Sequence, residues 1–154
     1  MSYSDDSGSL EMAPGNSVEQ RHAEEHLIAR LGEKLGARLE KQKFTLPGGE
    51  WLELDGYCKS QSIFCEAWAH QGPPKAAQKN KVLADAFRLL YVERMMSCSG
   101  KKILLFGDKV AAKRFQGQNW MGRALKAFDI EICVIELPKE IRDAVEKAQK
   151  RQYR

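Results

Sequence analysis

Glu53-Leu54-Asp55-Gly56, then Phe64-Cys65-Glu66-Ala67-Trp68-Ala69-His70, then the basic run Lys75-Ala76-Ala77-Gln78-Lys79-Asn80-Lys81 decide how this chain is read. A turn centred on Ser60-Gln61 sets Asp55 opposite Glu66 on neighbouring strands, with both side chains on one face of the sheet. Facing carboxylates repel, so the arrangement is costly without a cation between them. Two hard oxygen donors beside lysines point to a magnesium site, with manganese as a substitute.

Upstream of this stretch, Leu27, Ile28, Leu31, Leu35 and Leu39 recur at helical spacing, which predicts an amphipathic helix from Ser17 to near Gln42, weakened by Gly32 and Gly36. Phe44-Thr45-Leu46 reads as a short strand before the Pro47-Gly48-Gly49 turn. Residues 51–57 and 62–69 are the next two strands, completing a meander. Beyond the breaker Gly72-Pro73-Pro74, residues 75–95 carry the apolar stripe Val82, Leu83, Ala86, Leu89 and Leu90 of a long helix. Residues 102–106 form a buried-type strand, Asp108 caps a following helix, and 131–136 is a further strand, so the connection is a parallel crossover. A last helix over 138–149 leads into the basic tail Lys150-Arg151-Gln152-Tyr153-Arg154. The fold class is α/β.

The chain has 154 residues, 43% of them hydrophobic, which suits one compact domain over 17–154 behind a polar, mobile tail over 1–16. Cys58, Cys65, Cys98 and Cys133 lack the close pairs of zinc sites or disulfide frameworks and read as reduced thiols in a cytoplasmic protein. No apolar run is long enough to span a bilayer, so no membrane partner is expected. The net charge of +4 conceals an acidic start and a basic middle: between Gln71 and Lys126, twelve lysines and arginines face only Asp85, Glu93 and Asp108. Such a field favours a polyanion, although a solvated helical face explains the charge alone equally well.

The element order, with Asp55 on the second strand and Glu66 inside the third, resembles the restriction-endonuclease-like superfamily, the PD-(D/E)xK nucleases, over roughly residues 17–137. The resemblance implies a core of helix, three-strand meander, helix and strand, here extended by the crossover strand and terminal helix. It also implies that Asp55 and Glu66 ligate magnesium, that the substrate is nucleic acid, foremost DNA, and that a homodimer or larger complex can supply specificity. The superfamily's lysine, two residues after the glutamate, is replaced here by Trp68. Some members take that lysine from the following helix, which offers Lys75, Lys79 and Lys81.

If that helix buries the face centred on Ala86, then Lys75, Gln78 and Lys79 lie nearest the sheet, with Lys75 preferred, while Lys81 is rotated off and reaches around or pairs with Asp85. Gln78 resembles a helix glutamine that contacts substrate in exonuclease-like branches. Glu24 sits on the core side of the first helix, near enough to approach the metal or else solvated at the stripe's edge. His70 and Trp68 share the Glu66 face, His70 as a phosphate contact, a base or a satisfied strand-end histidine, Trp68 as a base-stacking ring or rim packing. Trp120 is expected to bury against the sheet. The competing functional expectation is an inactive domain of the same fold that binds nucleic acid or a protein partner without cutting.

Overall fold

The computed structural model describes residues 17–152; the expected tail over 1–16 and the last two residues lie outside them. Ser17 starts helix α1 (Val18–Leu35) through a capping box: its hydroxyl accepts from Gln20 N at 3.1 Å, and Gln20 Oε1 accepts from Ser17 N at 3.3 Å. The helix ends about two turns before the expected Gln42. Gly36 takes the left-handed conformation (φ 62°), and Ala37 N–H closes back on Gly32 O at 2.9 Å. A Cβ on Gly32 would lie 2.7 Å from Ala37 O, so both glycines belong to the stop rather than to the helix interior.

Ending the helix there releases residues for β1 (Glu40–Thr45), which is longer than the expected strand and carries Lys41 and Lys43 on an edge. It is followed by β2 (Trp51–Cys58), β3 (Ile63–Trp68), helix α2 (Ala76–Met95) and β4 (Lys101–Phe106). The crossover is not one helix but two: α3 (Lys109–Gln116) and α4 (Trp120–Ala127) meet at Gly117. Asp108 caps α3 as expected, accepting from Ala111 N at 3.2 Å, and Asn119 caps α4, accepting from Gly122 N at 3.0 Å. Strand β5 (Ile130–Val134) and helix α5 (Lys139–Gln152) complete the chain.

The five strands form one sheet in the order β1-β2-β3-β4-β5, antiparallel through β3 and parallel from β3 to β5. Alternation along β3 and β4 divides the interior into two layers. Ile63, Cys65, Ala67, Ile103 and Leu105 meet Leu27, Ile28 and Leu31 of α1 and Val145 of α5. Phe64, Trp68, Leu104 and Phe106 meet Val82, Ala86 and Leu89 of α2, Phe115 of α3 and Leu125 of α4. Trp120 joins neither layer: it is 68% exposed, because the break at Gly117 turns α4 so that Met121 and Leu125, not Trp120, face the sheet. Among the described residues no helix is long and apolar enough to cross a membrane.

Candidate active site

The site lies where β2 and β3 part. Their backbone pairing runs Cys58↔Ile63, Tyr57↔Phe64 and Gly56↔Cys65, one step short of Asp55 and Glu66. On the other side of β2, Glu40 pairs with Tyr57 but Gln42 pairs with Leu54, so Asp55 and Gly56 together oppose Lys41. That is a β-bulge, a device that re-aims a side chain and interrupts pairing. Side chains then replace the ladder. Asp55 N donates to Glu66 Oε1 at 2.9 Å, and Ala67 N donates to Asp55 Oδ2 at 2.9 Å. Each carboxylate is thus fixed by the other's strand.

Two more acids join this pair. Asp85 of α2 lies close enough to Glu66, and Glu24 of α1 close enough to Asp55, for their charges to interact. Burial, then the Asp55 charge, pushes Glu24 up to about 8, and the same two causes push Asp85 up to about 6. Glu66, only 4% exposed, is raised well above the usual carboxylate range by burial and then by Asp55 and Asp85. Burial also raises Asp55, against the Ala67 N–H and the Lys41 charge. Without a cation, then, the cluster retains protons at neutral pH.

Basic groups ring the acids. Arg88 Nη1 stands 3.9 Å from Glu66 Oε2, and Lys81 offsets the rise at both Glu24 and Asp85. The Lys81 ammonium lies 5.9 Å from the ring centroid of Trp68. Lys81 is exposed and off the buried stripe of α2, and its side chain reaches around towards Trp68. The buried stripe of α2 is Val82, Ala86, Leu89 and Val92, with Asp85 beside it, so Lys81, Asp85 and Arg88 share the edge facing β2 and β3. Lys79 falls on the opposite edge, towards Leu83. Lys75 caps α2 and lines a hollow with Gln71, Glu146 and Gln149, towards α5.

Gln78 and His70 lie at the end of the site. Gln78 Oε1 accepts from Lys75 N at 2.9 Å, while its amide nitrogen is 3.5 Å from His70 Nδ1. Gln20 Nε2 lies 2.9 Å from His70 Nε2, and the imidazole, 7% exposed, stacks on Trp68 with centroids 4.6 Å apart. His70 is thus the satisfied strand-end histidine, tied to the first turns of α1 and α2. Sequence reasoning missed Asp85, Arg88 and Lys41 as site groups. For Asp85 the signal was present: an acid three residues after Val82 and next to Ala86 belongs to the buried stripe.

Among the described residues no three His, Cys, Asp or Glu side chains close into a finished metal cage. The donor chemistry nonetheless fits a hard divalent ion. Glu66, buried, and Asp55, half-buried, supply oriented carboxylate oxygens. No family model, curated protein or solved structure matches this chain. The geometry of the site therefore carries the functional argument.

Proposed function

We propose that this protein is a metal-dependent nuclease of the restriction-endonuclease-like kind that hydrolyses phosphodiester bonds of DNA in the cytoplasm. The observation that carries the reading is the convergence of Glu24, Asp55, Glu66 and Asp85, from four different elements, on a bulge beside Lys81. Glu66 is buried and Glu24, Asp55 and Asp85 are half-buried, and four carboxylates drawn together repel one another, so their collection in one place favours a cation. Asp55 and Glu66 are the residues that would hold magnesium, or manganese in its place. Such an ion, when bound, polarises the scissile phosphate and acidifies water.

This chain's own residues do the rest. The bulge and the exchanged hydrogen bonds set the Asp55 and Glu66 oxygens before substrate arrives, so little reorganisation is needed at the reacting centre. Glu24, beside Asp55, would take a proton from the attacking water only in its ionised form, which a cation bound at Asp55 and Glu66 would favour. Lys81 and Arg88, on one edge of α2, stabilise charge on the phosphoryl oxygens; Lys75, Gln78 and Lys79 lie further from the acids.

The test is cleavage of labelled single- and double-stranded DNA with magnesium, manganese or chelator, comparing wild type with Asp55→Asn, Glu66→Gln and Lys81→Ala. Metal-dependent cutting abolished by either carboxylate change is the expected result. Cutting that persists in both variants would overturn the reading. A second reading draws on Arg88: its guanidinium near Glu66 gives the acids a built-in counter-charge, as suits an inactive domain that binds nucleic acid or a protein partner without cutting. It predicts salt-sensitive binding with no cleavage in any metal.

A further inference from the structure

Between Lys109 and Phe128 the chain carries Lys109, Lys113, Arg114, Arg123 and Lys126 and no acid. All five are exposed, and among the described residues none of them forms an ion pair. In their midst stands Trp120, 68% exposed at the start of α4. Singly exposed rings are ordinary on a protein surface, and Phe87 and Phe128 are exposed as well; what marks Trp120 is the run of uncompensated cations on both sides of it. Two grooves flank it. One, of about 370 Å³, is lined by Pro73, Pro74, Val110, Lys113, Arg114 and Asn119; the other, of about 410 Å³, includes Gln118, Gly122, Arg123 and Lys126. Asn119 lines the first groove and Gly122 the second, so Trp120 stands in the chain between two basic depressions.

We infer that the α3–α4 surface is a binding platform for single-stranded DNA, with Trp120 stacking on an unpaired base and Lys113, Arg114, Arg123 and Lys126 following the backbone on either side. The spacing of a ring between cations matches what an unpaired strand offers, a base face between successive phosphates, whereas in a duplex the base faces are already stacked. The uniform charge selects a polyanion over an apolar protein partner. The first groove reaches Pro73 and Pro74, in the loop that follows His70, and α3 and α4 share the α2 face of the sheet, so a strand on the platform leads towards Lys81 and the acids. The inference deepens the nuclease reading by naming a single-stranded substrate segment, and it rests on that reading for DNA as the polymer.

The experiment is binding of fluorescein-labelled (dT)20, a 20-base-pair duplex and (rU)20 to the full chain in chelator, where no metal-dependent cleavage intervenes, for wild type, Trp120→Ala and Trp120→Phe. Trp120→Ala is expected to weaken (dT)20 binding on the order of ten-fold, Trp120→Phe to keep most of it, and duplex binding to change little. Equal melting temperatures establish that the exposed position leaves the fold intact. Unchanged (dT)20 affinity in Trp120→Ala would overturn the platform even if the protein cuts DNA. An equal loss on duplex would overturn the stacking role, and tighter binding of (rU)20 than (dT)20 the choice of DNA. Trp120-dependent (dT)20 binding in a protein that cuts nothing would leave the platform standing and sink the nuclease reading alone.

Discussion

Glu66 is the residue on which the most opposing forces meet. It is buried, accepts from Asp55 N, feels the charges of Asp55 and Asp85 and stands near Arg88. Glutamine at this position still accepts the Asp55 N–H and removes the charge that the neighbouring acids oppose. Glu66→Gln is therefore expected to raise the melting temperature of the metal-free protein by about 2–4 °C, on the order of 1 kcal/mol, while abolishing cleavage. Calorimetry beside a cleavage assay checks both halves; a variant both less stable and fully active would contradict the site. Glu24 gives the pH dependence. Its folded value of about 8 exceeds the ordinary 4.5, so the folded state holds a proton that the unfolded state has already released. Stability from this group is thus complete below about pH 4.5 and lost as pH rises through about 8. The metal-free melting temperature should fall across that window, magnesium should recover more of it at about pH 8 than at about pH 6, and Glu24→Gln should flatten the slope. Fluorimetric melts over a pH series read all three.

At the scale of elements, what was legible followed period, and what was missed followed interruptions of period. Alternation and the Ser60-Gln61 turn were enough to pair β2 with β3 in the observed register, since Gly56↔Cys65 leads directly to Asp55 beside Glu66. The bulge opposite Lys41 left no trace in the pattern, because an inserted residue is absorbed by the partner strand's geometry and not by composition. Helix α1 was read too long because Leu35 and Leu39 continue the apolar spacing past a stop set by Gly36 and by its approach to Gly32. The crossover was read as one helix because composition alone gives Gly117 and Gly122 no structural part. In fact a Cβ on Gly122 would lie 2.3 Å from Gly117 O, which makes Gly122 a requirement for the α3–α4 junction. Gly122→Ala should destabilise the fold by about 1–3 kcal/mol, measurable by urea titration, and should disturb the α3–α4 surface before the active site. A second element contact is similarly exacting. Lys102 of β4 is buried against Glu93 of α2 at 2.7 Å, and Glu93 also accepts from Gly100 N. Glu93→Ala should cost about 3–5 kcal/mol by stranding the Lys102 charge, whereas pairing Glu93→Leu with Lys102→Met should recover most of that loss.

Across the whole molecule the two layers differ in charge pattern as well as in packing. Helix α5, on the α1 layer, mixes Lys139, Arg142, Lys147, Lys150 and Arg151 with Glu140, Asp143 and Glu146, and Arg151 closes onto Glu19 of α1 at 2.9 Å. Its cations are largely balanced within the protein. The α3–α4 surface on the opposite layer has no such compensation, and the same layer bears Lys81 and Arg88 beside the acids. A polyanion attracted by total charge alone would make little distinction between the layers, whereas a strand led from the platform to the active site would bind almost wholly through one. Lys109 together with Lys113, Arg114, Arg123 and Lys126, five engaged cations, gives a slope of log affinity against log salt near −3.5 for a single strand, or a loss of roughly a hundred-fold between about 50 and 200 mM salt. Replacing Lys113 and Arg114 by alanine should reduce that slope to about −2, because two fewer counterions are released. Replacing Lys147 and Lys150 should leave it within error. Fluorescence-anisotropy titrations of (dT)20 at four salt concentrations separate the cases: equal reductions from the two double variants would mean diffuse attraction, and the directed path across the α2 layer would have to be abandoned.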